Sequence, residues 1–306
     1  MTLAVRKVLL FILKVASDKV GFFFWLFIRF VSAILPLITI YLFSLVVRQL
    51  ELKADFDLLL STVLLTLIVR LVDNYLRLLS ITRLENVIGH ISFDIHNFFL
   101  RDLQLEAKVD RHAAIQAIRN FADASSLTLN LIKQPGIDSL VSFIFIPTIL
   151  LFVDFPSFII TLAYISTYYA IDHYTTQRYG HLRDILNTKT EVYYAKLQDS
   201  NDFDLEQSSY SRHFNRLVKW GFTEWSALQH TAVSFYCLLL IYLVYSVSLG
   251  QKDISTLVLI VGYTSQTQVF LNSFSHIQDS LTDMLVGLKH LAANLSLASL
   301  NLSNLV

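Results

Sequence analysis

Chain breakers are scarce in this protein. Its 306 residues include 8 glycines and 4 prolines. Between Pro36 and Pro135 the only breaker is Gly89, and between Pro156 and Gly250 there are only Gly180 and Gly221. Strand-and-turn architectures need more punctuation, so the sequence predicts an all-helical protein with unusually long helices. Cysteine is nearly missing as well. Cys237 stands alone in an apolar run, which excludes an internal disulfide and reads as a small buried hydrophobe. The nine histidines contain no i, i+4 pair and no cluster with cysteine, so no metal site is expected. The formal net charge is zero, without the basic signature of a nucleic-acid partner. No GxxxxGK[ST] phosphate loop occurs, nor any Ser–His–Asp, paired-carboxylate or Cys–His arrangement. Neither a catalytic nor a cofactor-binding residue is expected in this chain.

What is abundant is oil. Apolar residues make up 54% of the chain, aromatics 13%, and the mean hydropathy is +0.54, which points to several membrane spans. Residues 1–19 carry Arg6, Lys7, Lys14 and Lys19 between Leu, Ile, Val and Phe. They superficially resemble a signal peptide but lack a small-residue cleavage site, and Lys14, Asp18 and Lys19 follow the apolar part. They are expected to be retained as an amphipathic elbow helix lying in the membrane surface. Six spans are expected at about 20–47, 57–77, 137–153, 157–177, 230–249 and 254–277, within one helical domain of residues 20–300 followed by a tail at 301–306. Pro36 is expected to kink the first span, and Pro135–Gly136 to bend the third helix.

The second helix continues in helical pattern to about Glu106. Roughly fifty residues at 1.5 Å each reach about 75 Å, against a hydrocarbon core of about 30 Å, so its second half must stand in water. The fourth helix does the same through DHYTTQRYGHLRDILNTKTEVYYAKLQDS. The expected architecture is thus an all-α integral membrane protein with tiny links on one side and two extended helical hairpins on the other. Of the 24 lysines and arginines, Arg48, Lys53 and Lys252 lie by the short links and Arg29 lies inside the first span. The rest fall on the tail, the excursions and the end of the sixth helix. By the positive-inside rule, the excursions and both termini are expected to be cytoplasmic.

The sixth helix carries the main functional signal. Ser265, Gln268, Asn272, Ser275 with His276, Asp279 and Asp283 recur at three- and four-residue steps and so share one face, while Val269, Phe270, Phe274, Ile277, Leu281 and Leu285 fall elsewhere. Ser265, Gln268, Asn272 and His276 are the candidate pathway-lining residues. The competing reading packs the same stripe against a second copy through interhelical hydrogen bonds. Arg29, Arg70 and Asp73 lie in or near the inner half of the bilayer, where a charge costs about 2.5–3.5 kcal/mol and pairs or faces water. Asp73 is spaced to meet Arg70 and Arg77 on its own helix, and Arg29 can reach it from another. A structural ion pair, a transport site and snorkelling to headgroups are the three readings. The tyrosines Tyr164, Tyr168, Tyr169 and Tyr174 read as interface belts and packing.

The stretch GQKDISTLVLIVGYTSQTQVFLNSFSHIQDSLTDMLVGLKHL is similar to the last transmembrane helix of ABC exporters. Residues 118–158, with IRNFADAS and IPTILLFVDFP, resemble the third span of peptidase- and toxin-exporting members. Taken with the layout, nearly the whole chain resembles an exporter transmembrane domain. That resemblance implies a dimer with a second copy or a related transmembrane subunit. It also implies coupling elbows, here Lys108, Asp110 and Arg111 in one and Asp202, Asp204 and Glu206 in the other, that touch an ATPase domain. Since the chain stops at Val306 without a phosphate loop, ATP is expected on a separate ABC ATPase subunit. The membrane implied is a bacterial inner membrane. The alternative is a non-transporting scaffold, or a regulatory or assembly subunit of a larger complex, that reuses the fold.

Overall fold

The structure is a computed structural model, and it describes residues 2–103, 111–196 and 203–294. Eight α-helices appear among them: α1 (Thr2–Val15), α2 (Lys19–Glu51), α3 (Phe56–Leu103), α4 (Arg111–Leu131), α5 (Ile137–Val153), α6 (Phe155–Lys196), α7 (Phe203–Ser248) and α8 (Ile254–Asn294). No strand occurs among the described residues. Among the described residues, four helical stretches are long and apolar enough to cross a membrane: Lys19–Glu51, Ala114–Val153, Ser208–Ser248 and Ile254–Lys289. The protein is therefore an all-α membrane protein. Against an expectation of six spans, α3 and α6 stand outside this set; α3 carries Arg70, Asp73 and Arg77, and α6 carries hydroxyls, tyrosines and Asp172 where lipid-facing helices carry leucine.

The chain divides into two compact units, Met1–Leu150 with Leu243–Val306, and Leu151–Tyr242. In the first, α2 opens at an Asp18 cap whose carboxylate accepts from the Gly21 amide at 2.8 Å. A Cβ on Gly21 would fall 2.1 Å from that carboxylate, so the cap needs glycine there. The turn after α2 places Lys53 at φ 51° and leads directly into α3. The two helices run back to back as an antiparallel hairpin. Gln49 Nε2 donates to Thr62 Oγ1 at 2.9 Å near the turn, and the Arg83 guanidinium lies 5.9 Å from the Trp25 ring centre far from it.

Away from that turn, the first unit has an oily core to which five helices contribute, α2 through Phe22. Leu84, Ile88, Ile91, Ile95 and Phe99 of α3 meet Ala114, Ile118, Phe121 and Ala122 of α4, Met284, Leu288 and Leu291 of α8, and Val8 and Ile12 of α1. Each such large side chain contributes about 1.5–3 kcal/mol by burial. The alanines of α4, and Gly287 of α8 set against the Phe121 backbone, let these helices approach closely. For α1 this changes the expectation of a helix lying in lipid. It is helical and amphipathic, but Val8 and Ile12 are buried in the protein and Phe11 packs on Phe98 and Phe99. A stripe of leucine, valine and phenylalanine fits a membrane surface and a protein groove equally well, and here the groove takes most of it.

Between α4 and α5 the expected bend takes a specific form, a π-turn over Ile132–Gly136 with Pro135 inside it. The Ile137 amide reaches back to the Ile132 carbonyl, five residues away. A turn widened by one residue accommodates a proline that has no N–H to give. Gly136 fits because a Cβ there would stand 3.2 Å from the Leu131 carbonyl and 3.3 Å from Ile277 Cδ1.

The second unit is a helix pair. Asp154 caps α6 by accepting from the Ser157 amide at 3.2 Å and from the Ser157 hydroxyl, and it also accepts from Tyr242 Oη at 3.2 Å. Further along, Tyr164 packs on Phe235 with ring centres 5.6 Å apart, and Thr175 Oγ1 donates to Glu224 Oε1 at 2.7 Å. Trp220 Nε1 donates to the Thr175 carbonyl at 3.2 Å, and Arg178 lies 4.3 Å from the Trp220 ring centre. Residue numbers rise on α6 as they fall on α7, so the pair is antiparallel along this length.

Candidate functional site

Two polar zones stand out in the first unit, and α8 is the natural place to begin. Its packed face is Ile260, Tyr263, Thr264, Thr267, Phe270, Leu271, Ile277, Ser280, Met284 and Leu288, all buried. Polar groups occur even here, and each is answered. Tyr263 Oη donates to the Leu37 carbonyl at 3.2 Å, Ser139 Oγ donates to the Phe270 carbonyl at 3.2 Å, and Thr128 Oγ1 lies 2.9 Å from Ser280 Oγ. Thr264 and Thr267 donate back to carbonyls one turn earlier on α8. At the N-terminus of α8, Glu51 from the end of α2 accepts from the Ile254 amide at 3.0 Å and the Ser255 amide at 3.4 Å. It supplies a carboxylate where the helix dipole favours one.

The predicted stripe lies on the other side. At about 100° per residue, Ser265, Gln268, Asn272, His276, Asp279 and Asp283 centre roughly 180° from the Tyr263–Phe270–Met284 line. Ser265 and His276 are exposed, and Gln268, Asn272, Asp279 and Asp283 are half-buried. The Ser275 side chain lies outside the described residues. The stripe therefore lies across from the anchoring face, open at Ser265 and His276 and half-covered at the other four, with Val269 exposed beside it.

The second zone is a run of alternating charges joining α2, α3 and α5. Arg29 is fully buried, and its Nη2 lies 2.5 Å from Asp138 Oδ2. Its Nη1 donates to Ser32 Oγ at 2.9 Å and its Nη2 to the Gln134 carbonyl at 3.3 Å. That carbonyl belongs to the π-turn. Arg77 Nη1 stands 3.5 Å from the same Asp138 oxygen, and Arg77 Nε stands 3.6 Å from Asp73 Oδ1. Arg70 closes the run at 3.4 Å from Asp73 Oδ2. Three guanidiniums thus share two carboxylates. Arg70 and Asp73 pair as their spacing predicts. Arg29 takes Asp138, a residue the sequence reading passed over, in place of a direct contact with Asp73. A second cross-helix pair, Lys133 with Glu85, starts within the π-turn itself, and Lys133 is buried. The visible signal for both was a charge within a few residues of Pro135–Gly136.

The two zones meet at the π-turn. Gly136 faces Ile277, and Ser139 and Phe143 contact Phe270, so the turn packs on the α8 segment whose opposite side bears Asn272 and His276. The expected elbow contacts fall elsewhere. Lys108, Asp110 and Asp202 lie outside the described residues, as do the side chains of Arg111, Asp204 and Glu206 at the starts of α4 and α7. No protein-family model matches the chain, and no curated protein matches it.

Proposed function

We propose that the chain is a transmembrane subunit of an ABC-exporter-like transporter. It forms a substrate pathway as a dimer, with a second copy or a related subunit, and ATP is bound by a partner ABC ATPase. The observation that carries this reading is the α8 stripe. A helix in a membrane protein that satisfies every polar group of its packed face, and then turns a second polar face away, borders water or another polar helix.

Six spans are part of the proposal. The hairpin of α2 and α3 is packed from Gln49–Thr62 to Trp25–Arg83, so a membrane crossed by α2 is crossed by its neighbour. The same holds for α6 beside α7, from Tyr242–Asp154 to Trp220–Thr175. Arg70 and Arg77 of α3 are paired with carboxylates on α3 and α5, which is how a charged helix is accommodated at that depth. The distribution of lysine and arginine supports cytoplasmic termini, the exporter resemblance implies a bacterial inner membrane, and α1 would lie near its surface. The long extensions of α3, α4, α6 and α7 would act as levers between the partner ATPase and the spans.

The test is a thiol scan. With the exposed Cys237 replaced by serine, single cysteines at Ser265, Gln268, Asn272 and His276 are reacted with a membrane-impermeant, water-soluble maleimide. A pathway gives labelling at these positions and protection at Tyr263, Thr267 and Phe270, and nucleotide trapping of the co-purified ATPase changes the labelling. Uniform protection of the stripe in the assembled protein would instead support a scaffold whose stripe is an interface.

A further inference from the structure

The outward side of α3 carries a groove that the pathway reading does not use. Tyr75, Leu78, Leu79, Thr82, Arg83 and Asn86 line it, and its volume is about 350 Å³. These positions recur at steps of three and four, so they share one side of the helix. The chemistry changes along it. Tyr75 and Leu78 are exposed at the apolar end, and the exposed Thr82, Arg83 and Asn86 lie at the other, with the Thr82 hydroxyl donating to the Leu78 carbonyl at 2.9 Å.

The hairpin sets the depth of this gradient. From Gln49 to Trp25 is 24 residues of α2, and from Thr62 to Arg83 is 21 residues of α3. At 1.5 Å per residue these are about 36 and 32 Å. The hydrocarbon core is about 30 Å thick. With Gln49 and Thr62 beside the polar link at one surface, Trp25 and Arg83 stand at the opposite headgroup layer. Tyr75 lies about 12 Å further into the oil by the same rise. A tryptophan beside an arginine at that level fits the aromatic belt of a membrane interface.

Arg83 forms no ion pair among the described residues. Its guanidinium lies 5.9 Å from the Trp25 ring centre, and neighbouring Glu85 is taken by Lys133. An exposed guanidinium without a carboxylate partner keeps its N–H groups for a planar or tetrahedral oxyanion, and it can bind phosphate through two of them. Thr82 and Asn86, one turn to either side, add neutral polar groups, and Leu78, Leu79 and Tyr75 offer apolar surface on the oil side.

We propose that this groove binds one anionic phospholipid from the leaflet facing the long helical extensions, with its phosphate on Arg83 and an acyl chain along Leu79, Leu78 and Tyr75. This rests on the membrane placement of the α2–α3 hairpin and not on transport, so the two readings fail separately.

The experiment uses the full-length protein in neutral detergent and native mass spectrometry. Phosphatidylglycerol and phosphatidylcholine with the same acyl chains are supplied at equal concentration. The wild type is expected to retain one phosphatidylglycerol per chain with roughly tenfold preference, because phosphatidylcholine has the same phosphate but brings a choline cation that offsets its charge and is repelled by Arg83. Arg83→Gln should lose that preference and Arg83→Lys keep part of it. Arg119→Gln, which removes an exposed arginine elsewhere, should leave it unchanged. Inorganic phosphate should not displace the lipid. No preference in the wild type, a full preference in a normally helical Arg83→Gln protein, or displacement by phosphate alone would overturn the proposal.

Discussion

The charge run on α2, α3 and α5 and the polar stripe on α8 hold similar side chains in opposite ways. In the run, Arg29 is 0% exposed and every charge has a counter-charge on its own or a neighbouring helix. In the stripe, the polar groups sit roughly opposite the face that anchors the helix. A polar group folded against its own chain fixes how helices meet. One on the opposite side takes no part in that anchoring. Substitutions should therefore separate the zones by what they damage: stability in the first, accessibility and coupling in the second.

The largest effect is expected at Asp138. Replacing it with alanine leaves Arg29 buried without its carboxylate and removes one of the two partners of Arg77. Breaking a buried pair from one side costs about 3–5 kcal/mol. Thermal unfolding in detergent, followed by helicity, measures this. The double replacement Arg29→Met with Asp138→Leu should recover much of the loss, since neither charge then needs answering. Recovery would mark the run as structural. A double variant no better than Asp138→Ala would argue that the charges have a further role.

A smaller loss is expected at the closest approach of α2 and α8. A Cβ on Gly262 would lie 2.7 Å from Ile40 Cγ2, and isoleucine has little rotamer freedom in a helix. Gly262→Ala should cost about 1–3 kcal/mol by overpacking. Relief by the added change Ile40→Val or Ile40→Ala would tie the loss to that contact. Ser280→Ala comes next. It removes the hydroxyl beside Thr128, which retains its bond to the Ala124 carbonyl. A loss of about 1 kcal/mol follows for one hydrogen bond.

Much of this was legible in the sequence because helices in oil leave a plain record. The scarcity of glycine and proline gave long helices, and three- and four-residue steps gave the α8 stripe. Arg70 and Asp73 were visible because both lie on one unbroken helix, where spacing fixes proximity. Asp138 was not visible, since it follows the π-turn. One extra residue in a turn rotates everything after it by about 100° relative to a regular helix, so the face it occupies cannot be extrapolated from α4. The polar side of the packed α8 face was hidden for another reason. Thr264, Thr267 and Ser280 bond to the α8 backbone or to a single hydroxyl on α4, and hydropathy counts them as surface. The fate of α1 was undetermined in principle, because a lipid surface and the groove formed by Ile95, Phe99 and Ile118 demand the same side chains.

The smallest stability effect is expected in the stripe itself, and that smallness is informative. Gln268→Ala and His276→Ala remove groups that face away from the supporting helices, so each should shift stability by no more than about 0.5 kcal/mol. If either cost as much as Ser280→Ala in the isolated chain, the stripe would belong to the packing and the contrast with the charge run would collapse. With stability unchanged, any effect on the assembled protein must come from what the stripe meets. A changed nucleotide turnover by a co-purified ATPase would point to a pathway, and a weakened dimer with normal turnover to an interface. Asn272 separates these most sharply because Ser139 and Phe143 hold the opposite side of its helix segment through Phe270. A movement of the π-turn would therefore carry Asn272 with it, and Asn272→Cys labelling should respond to nucleotide more than Ser265→Cys, two turns closer to the Glu51 cap.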